Sequence, residues 1–351
     1  MLYFCKKFKD MIQGLFSVAE VNAMIEKGDT LLLAGDAKLL SQLKKGKWIG
    51  GSTSRFIESG KKPILERTRI FVHNISDFAV ETKLMIYDES NIANIYDDAF
   101  DNGFSVLIVA PFSPVINEYT DKCSNYSNFS CRAVCGWGVV ASIYSEYEKN
   151  DESIVFCGQN ATSYTNEGVV MHIGLAPDKF AEIHAFSPYK PDEDGDIITF
   201  DENKQQVEYA FINGIKQNFR QYLIDNKIDR THDASILSRK CLAGNHGGIF
   251  MNVGIMSETE KDAKKFVSFT SSVYKGINYG LANMENFDHE ILTKKIHGEI
   301  VFSLTCVNYF ANPDIFEKFL TKMNGPFTYG ELAYFPMSNA TVYVSIGNIL
   351  N

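Results

Sequence analysis

The chain has 351 residues, with 34 Lys plus Arg against 43 Asp plus Glu and a formal net charge of −9. That length suggests about two domains, and 45% apolar with 22% charged residues excludes a disordered tail. The acidic balance excludes a non-specific nucleic-acid binder, which needs a basic face, and no run approaches the ~18 apolar residues of a membrane span.

At the N-terminus the apolar residues of MLYFCKKF precede Lys6, Lys7 and Lys9, the reverse of a secretory signal. Seven scattered cysteines do not read as a disulfide framework. Both observations predict a cytoplasmic protein.

Ser17 with Glu20 three residues on forms a capping box for a first helix that Gly28 ends. Thr30 to Ala34 reads as a buried strand, Asp36 caps a helix over Ala37 to Lys45, and Lys47-Trp-Ile49 starts a strand running into Gly50-Gly51. Arg69 to Val72 is a further strand. A helix is expected from Ser90 through Phe100, then a strong strand over Phe104 to Ala110 and strand-like runs to Phe200. The polar stretch Ser187 to Asp196 suits a linker or a hairpin tip. Beyond it come strands at Val207 to Ile212, Gly248 to Ile255 and Phe266 to Phe269, with a helix over Lys216 to Ile224.

Near the C-terminus an apolar strand at Glu299 to Cys306 precedes a helix capped by Asn312. A strand from Pro326 follows, broken by Gly330. This order of elements repeats the N-terminal one, KWIGGSTSRF against GPFTYGELAYF, and suggests internal duplication. The expected fold is α/β, mixed α+β, with two related sheet-and-helix domains at 1–203 and 204–351.

The segment Gly325-Pro-Phe-Thr-Tyr-Gly-Glu-Leu-Ala-Tyr334, followed by Asn339-Ala-Thr-Val-Tyr-Val-Ser345, resembles the closing signature of the FIST C-terminal domain. Ala34-Gly-Asp36 with Trp48-Ile-Gly-Gly-Ser52 resembles the opening of the FIST N-terminal domain. Ile212-Asn-Gly214 with Tyr222-Leu223 resembles the start of its C-terminal half. The resemblance implies a sensory module that takes a small ligand such as an amino acid. The two halves fill the chain and leave no output domain, as in stand-alone FIST-like proteins. It therefore implies a separate signalling partner, while charge and hydropathy leave no nucleic-acid or membrane partner and no metal or cofactor is expected.

Gly50, Gly51, Ser52 and Thr53 could let a ligand carboxylate approach the backbone, or form a bend between strands. Arg55 could add a bidentate contact. Tyr329, Gly330 and Glu331 form the counterpart, with Asn339 one strand further on; Glu331 could hold a ligand amine or lie solvated on the surface. Cys123, Cys131 and Cys135 lack zinc-site spacing and read as buried thiols. Gly244-Asn-His-Gly-Gly248 lacks the phosphate-loop ending and reads as a turn. No catalytic constellation is evident. The alternative is a self-assembling homo-oligomer or filament, favoured by 26 Phe and 17 Tyr.

Overall fold

Ser17 closes the capping box that its sequence announces. The Glu20 amide donates to its hydroxyl at 3.3 Å, and the Ser17 amide donates to the Glu20 carboxylate at 2.8 Å. The helix Val18–Lys27 stops at Gly28, whose φ of +91° favours glycine and whose amide reaches the last-turn carbonyls. Removing the cap with S17A should lower Tm by about 2 °C, read by circular dichroism. The computed structural model describes residues 12–139, 153–187, 189–228, 240–246, 249–261, 264–283, 296, 298–307 and 323–349.

Strands outweigh helices by a wide margin. Three six-stranded sheets carry one arrangement. In the first, Leu31–Gly35 runs parallel to Trp48–Ser52 and antiparallel to Ile70–Asn74, which pairs with the edge strand Gln13–Phe16. In the second, Gly103–Val109 runs parallel to Ala133–Gly138, and Gly168–Gly174 returns beside it to meet Glu81–Tyr87. In the third, Glu299–Cys306 runs parallel to Gly325–Thr328, and Thr341–Asn348 returns to meet Lys179–Phe186. The two units that look alike in sequence are therefore two of three with the same connectivity.

Each sheet is completed by a hairpin from a neighbour. The hairpin Arg55–Ile57 with Ile64–Leu65 leaves the first sheet for the third. From the third, Glu331–Ala333 with Phe335–Met337 crosses to the second. Val155–Cys157 with Thr162–Tyr164 crosses from the second to the first. The exchange closes a ring, and strands from both sides of residue 203 share all but the first sheet.

One face of each sheet packs on a common core that includes Leu32, Ile49, Ile108, Trp137, Phe302 and Val344. The other faces are covered separately. Val21, Ile25 and Leu40 cover the first sheet, so Leu31 and Leu33 are buried opposite Leu32 and the strand reads as an unbroken apolar run. Between Lys179–Phe186 and Glu299–Cys306 lies a nine-stranded sheet. Its long strands Ile249–Lys261 and Lys264–Val273 pair with each other. It covers the second sheet through Leu242, Val253 and Phe269, and the third through Cys241, Ala243 and Ala282.

Several expected helices differ. The segment after Ser90 makes only the 3₁₀ turn Ile92–Ile95, because Asp88 accepts hydrogen bonds from Ser90 and competes with regular helix. Ala37–Leu40 is a single turn that does not reach Lys45. Lys216 lies on the strand Ile215–Asn218, and Asn218 caps the helix Phe219–Asp225. A helix at Pro114–Lys122 is additional, started by Ser113 with proline in its first turn. The helix expected after Asn312 falls on residues outside those described.

Candidate functional site

A cleft open to solvent lies at the C-terminal ends of parallel strands in the second and third sheets, marked by Val109, Gly138 and Cys306. This is the end at which α/β sheets ordinarily present their binding residues. The helix Pro114–Lys122 contributes Ile116, Asn117 and Asp121; the nine-stranded sheet contributes Gln205 and Thr270 to Ser272. The crossing hairpin supplies Glu331.

Four of the sequence-predicted residues, Tyr329, Gly330, Glu331 and Asn339, line this cleft together. The loop is anchored by backbone bonds in which the Gly138 amide donates to the Gly330 carbonyl and the Tyr329 amide to the Gly138 carbonyl. A Cβ on Gly138 would lie 2.1 Å from the Tyr329 carbonyl oxygen, so only glycine permits that approach. Gly330 has φ +84° and Asn339 has φ +54°, left-handed conformations suited to these residue types.

Glu331 is only 1% exposed. Its Oε1 lies 2.9 Å from Thr328 Oγ1, and its Oε2 accepts from the Ala340 amide at 3.2 Å. Burial pushes its carboxyl up to about 8, against the weaker opposing pull of those two hydrogen bonds. The geometry suits the protonated acid. Thr328 Oγ1 is also 3.1 Å from the Thr305 carbonyl, which can only accept. With one hydrogen on the hydroxyl, Thr328 donates to Thr305 and receives the proton of Glu331.

Three further features mark the same walls. Phe112 holds φ +61°, a strained value for a bulky side chain, and its ring sits 5.8 Å from that of Tyr329. Cys306 Sγ donates to Asn339 Oδ1 at 3.5 Å. Ser271, 6% exposed, is a lining residue whose buried hydroxyl has no hydrogen-bond partner among the described residues. None of Phe112, Asp121 or Ser271 was signalled by the sequence, although Ser113-Pro114 marks the helix start beside Phe112.

Gly50, Gly51, Ser52, Thr53 and Arg55 are not among the cleft's walls. They stand at another junction of the ring. The room left at Gly51 is occupied by Ile108 and Trp137 from the second sheet and by Val139 just beyond its strand. The Ser52 hydroxyl accepts from the Ile154 amide, and that of Thr53 donates to the Phe327 carbonyl. Register explains why the two segments look alike. Val155 pairs with Gly51, Glu331 pairs with Trp137, and Arg55 stands one residue before Phe56, which pairs with Pro326. Arg55, Val155 and Glu331 thus occupy corresponding places on the three crossing hairpins.

A second polar chain is sealed from this cleft. Ser105 Oγ lies 2.7 Å from His172 Nδ1, and His172 Nε2 lies 3.0 Å from the Tyr87 hydroxyl. Tyr87 in turn donates to Asp98, which accepts from Lys83. Burial, then the Lys83 charge, pushes His172 down to about 4. The Ser–His pair resembles an activated nucleophile, but both residues are fully buried and neither lines the cleft. Cys123 and Cys135 are buried and Cys131 is exposed. Among the described residues no three His, Cys, Asp or Glu are grouped to hold a metal, and no helix is long and apolar enough to cross a membrane.

A family model described as "Family of unknown function (DUF6976)" matches residues 16–347, and the chain belongs to that family. The match makes no link to FIST domains. No curated protein and no solved structure matches the chain.

Proposed function

We propose that this protein binds a small polar metabolite in the Glu331 cleft and acts as a cytoplasmic sensory module, its occupancy read by a separate signalling partner. The FIST resemblance supports the sensory part. The observation that carries the binding part is Glu331 itself, a nearly fully buried carboxyl on the wall of a solvent-open cleft. Its hydrogen-bond partners are the Thr328 hydroxyl and the Ala340 amide, and no charged group contributes to its raised pKa. Burying such an acid costs stability, and carboxyls perturbed by burial in a cleft mark functional sites.

The test is a thermal-shift screen of amino acids, amines, organic acids, sugars and nucleosides against wild type and N117W. Asn117 is exposed on the cleft's rim, so the indole blocks the opening without entering a core. The expected result is stabilisation by at least one compound class, lost in N117W. No stabilisation by any class, with both proteins folded by circular dichroism, would reject the reading.

A further inference from the structure

We infer that the ligand of this cleft is a small organic cation with an apolar body, an alkyl or aryl amine, and that it binds by displacing the proton of Glu331. The inference rests on the small-ligand reading above and names its chemistry. Among the described residues lining the cleft there is no Lys, Arg or His, whereas two acidic side chains, Asp121 and Glu331, stand on its walls. A carboxylate or phosphate ligand would find no cation on these walls to offset its charge. An ammonium group meets the opposite arrangement.

The remaining surface suits the rest of such a molecule. Ile116, Leu332 and Met337 supply apolar wall, and Phe112 and Tyr329, with ring centroids 5.8 Å apart, add aromatic wall. Ser271, whose buried hydroxyl has no hydrogen-bond partner among the described residues, stands on the same wall. Deep in the site, Glu331 is held by the Thr328 hydroxyl and the Ala340 amide, on a strand paired with Trp137 and Met337. The other titratable side chains on the walls are Asp121, Cys306 and Tyr329.

The exchange balances. The neutral acid releases its proton to solvent, the ammonium group takes its place beside the carboxylate, and Thr328 turns its hydrogen from the Thr305 carbonyl to Glu331. No covalent bond other than that O–H is broken. Binding therefore strengthens as pH rises toward the carboxyl's own titration and levels off above it.

The test is isothermal titration calorimetry with benzylamine as the cation, benzyl alcohol as the neutral isostere and benzoate as the anion, in buffers of different ionisation enthalpy. The expected result is that benzylamine binds at least tenfold more tightly than benzyl alcohol and benzoate does not bind. Its affinity should rise by up to about tenfold per pH unit from about pH 6 and level off past about pH 8, with close to one proton released per ligand at about pH 6 and about half a proton at about pH 8. In E331Q the pH dependence should disappear and affinity fall at least tenfold. Benzoate or benzyl alcohol binding as tightly as benzylamine, with sensitivity to N117W, would overturn the cation inference and leave the small-ligand reading standing. Benzylamine binding without proton release, or equally in E331Q, would overturn it as well. No binding by any probe would overturn it, whereas the broader reading falls only if the full thermal-shift screen is also silent.

Discussion

Replacing Trp137 with Ala should destabilise the protein by about 3–5 kcal/mol. The indole is 1% exposed and belongs to the second sheet. It sits over Gly51 of the first sheet, where an added Cβ would lie 3.0 Å from Nε1. Its ring centroid is also 5.5 Å from that of Phe302 in the third sheet. One side chain thus joins all three sheets, and its loss opens a cavity that none of them can close alone. Because Nε1 has no hydrogen-bond partner among the described residues, W137F forfeits volume and little else, and should cost less than half as much. Urea denaturation of the three proteins checks this. A penalty below about 1 kcal/mol for W137A would show that the sheets do not share one core.

The second large effect is a loss of stability with rising pH that E331Q abolishes. The folded-state pKa of Glu331, about 8, lies above the ordinary 4.5, so between these values the folded chain binds more protons than the unfolded one. Stability falls as pH rises through that window and levels off above it, by an amount on the order of several kcal/mol. His73 and His172 work the other way. Burial holds them at about 3 and about 4 in the folded state, so they add stability as pH rises toward 6.5. The difference between E331Q and wild type isolates the carboxyl. Glutamine retains an oxygen for the Ala340 amide and a donor for Thr328. E331Q should be clearly the more stable protein near pH 8, with the gap closing toward pH 5. Urea midpoints that stay parallel across this range would reject the buried-acid account.

How much of this was legible in the sequence divides along the reach of the interactions. Ser17, Glu20 and Gly28 act within one helix, and the sequence located that helix to its ends. The strands of the first and third parallel pairs were visible because apolar runs and glycine breaks are local. The second pair was equally present, but the helix Pro114–Lys122 between its strands was not read from the sequence, so its shared connectivity went unseen. The hairpin exchange is not encoded locally at all. Glu331 pairs with Trp137, and Phe56 with Pro326, across most of the chain. The nine-stranded sheet hides for a related reason: Ser257 to Lys261 is uniformly polar, with no alternation to betray the end of a long strand.

The site divides in the same way. Tyr329, Gly330, Glu331 and Asn339 come from one short stretch and meet in the cleft. Gly50 to Arg55 share their pattern because both segments lead from a parallel strand into a crossing hairpin, yet they serve a different junction. Phe112, Asp121 and Ser271 reach the cleft only through packing between sheets, which no spacing rule expresses.

The most direct measurement is a carbon-13 NMR titration of the Glu331 side-chain carboxyl, assigned by its disappearance in E331Q. The account predicts a midpoint near pH 8, moving downward when benzylamine is added. A midpoint near the ordinary 4.5, unchanged by the amine, would contradict it.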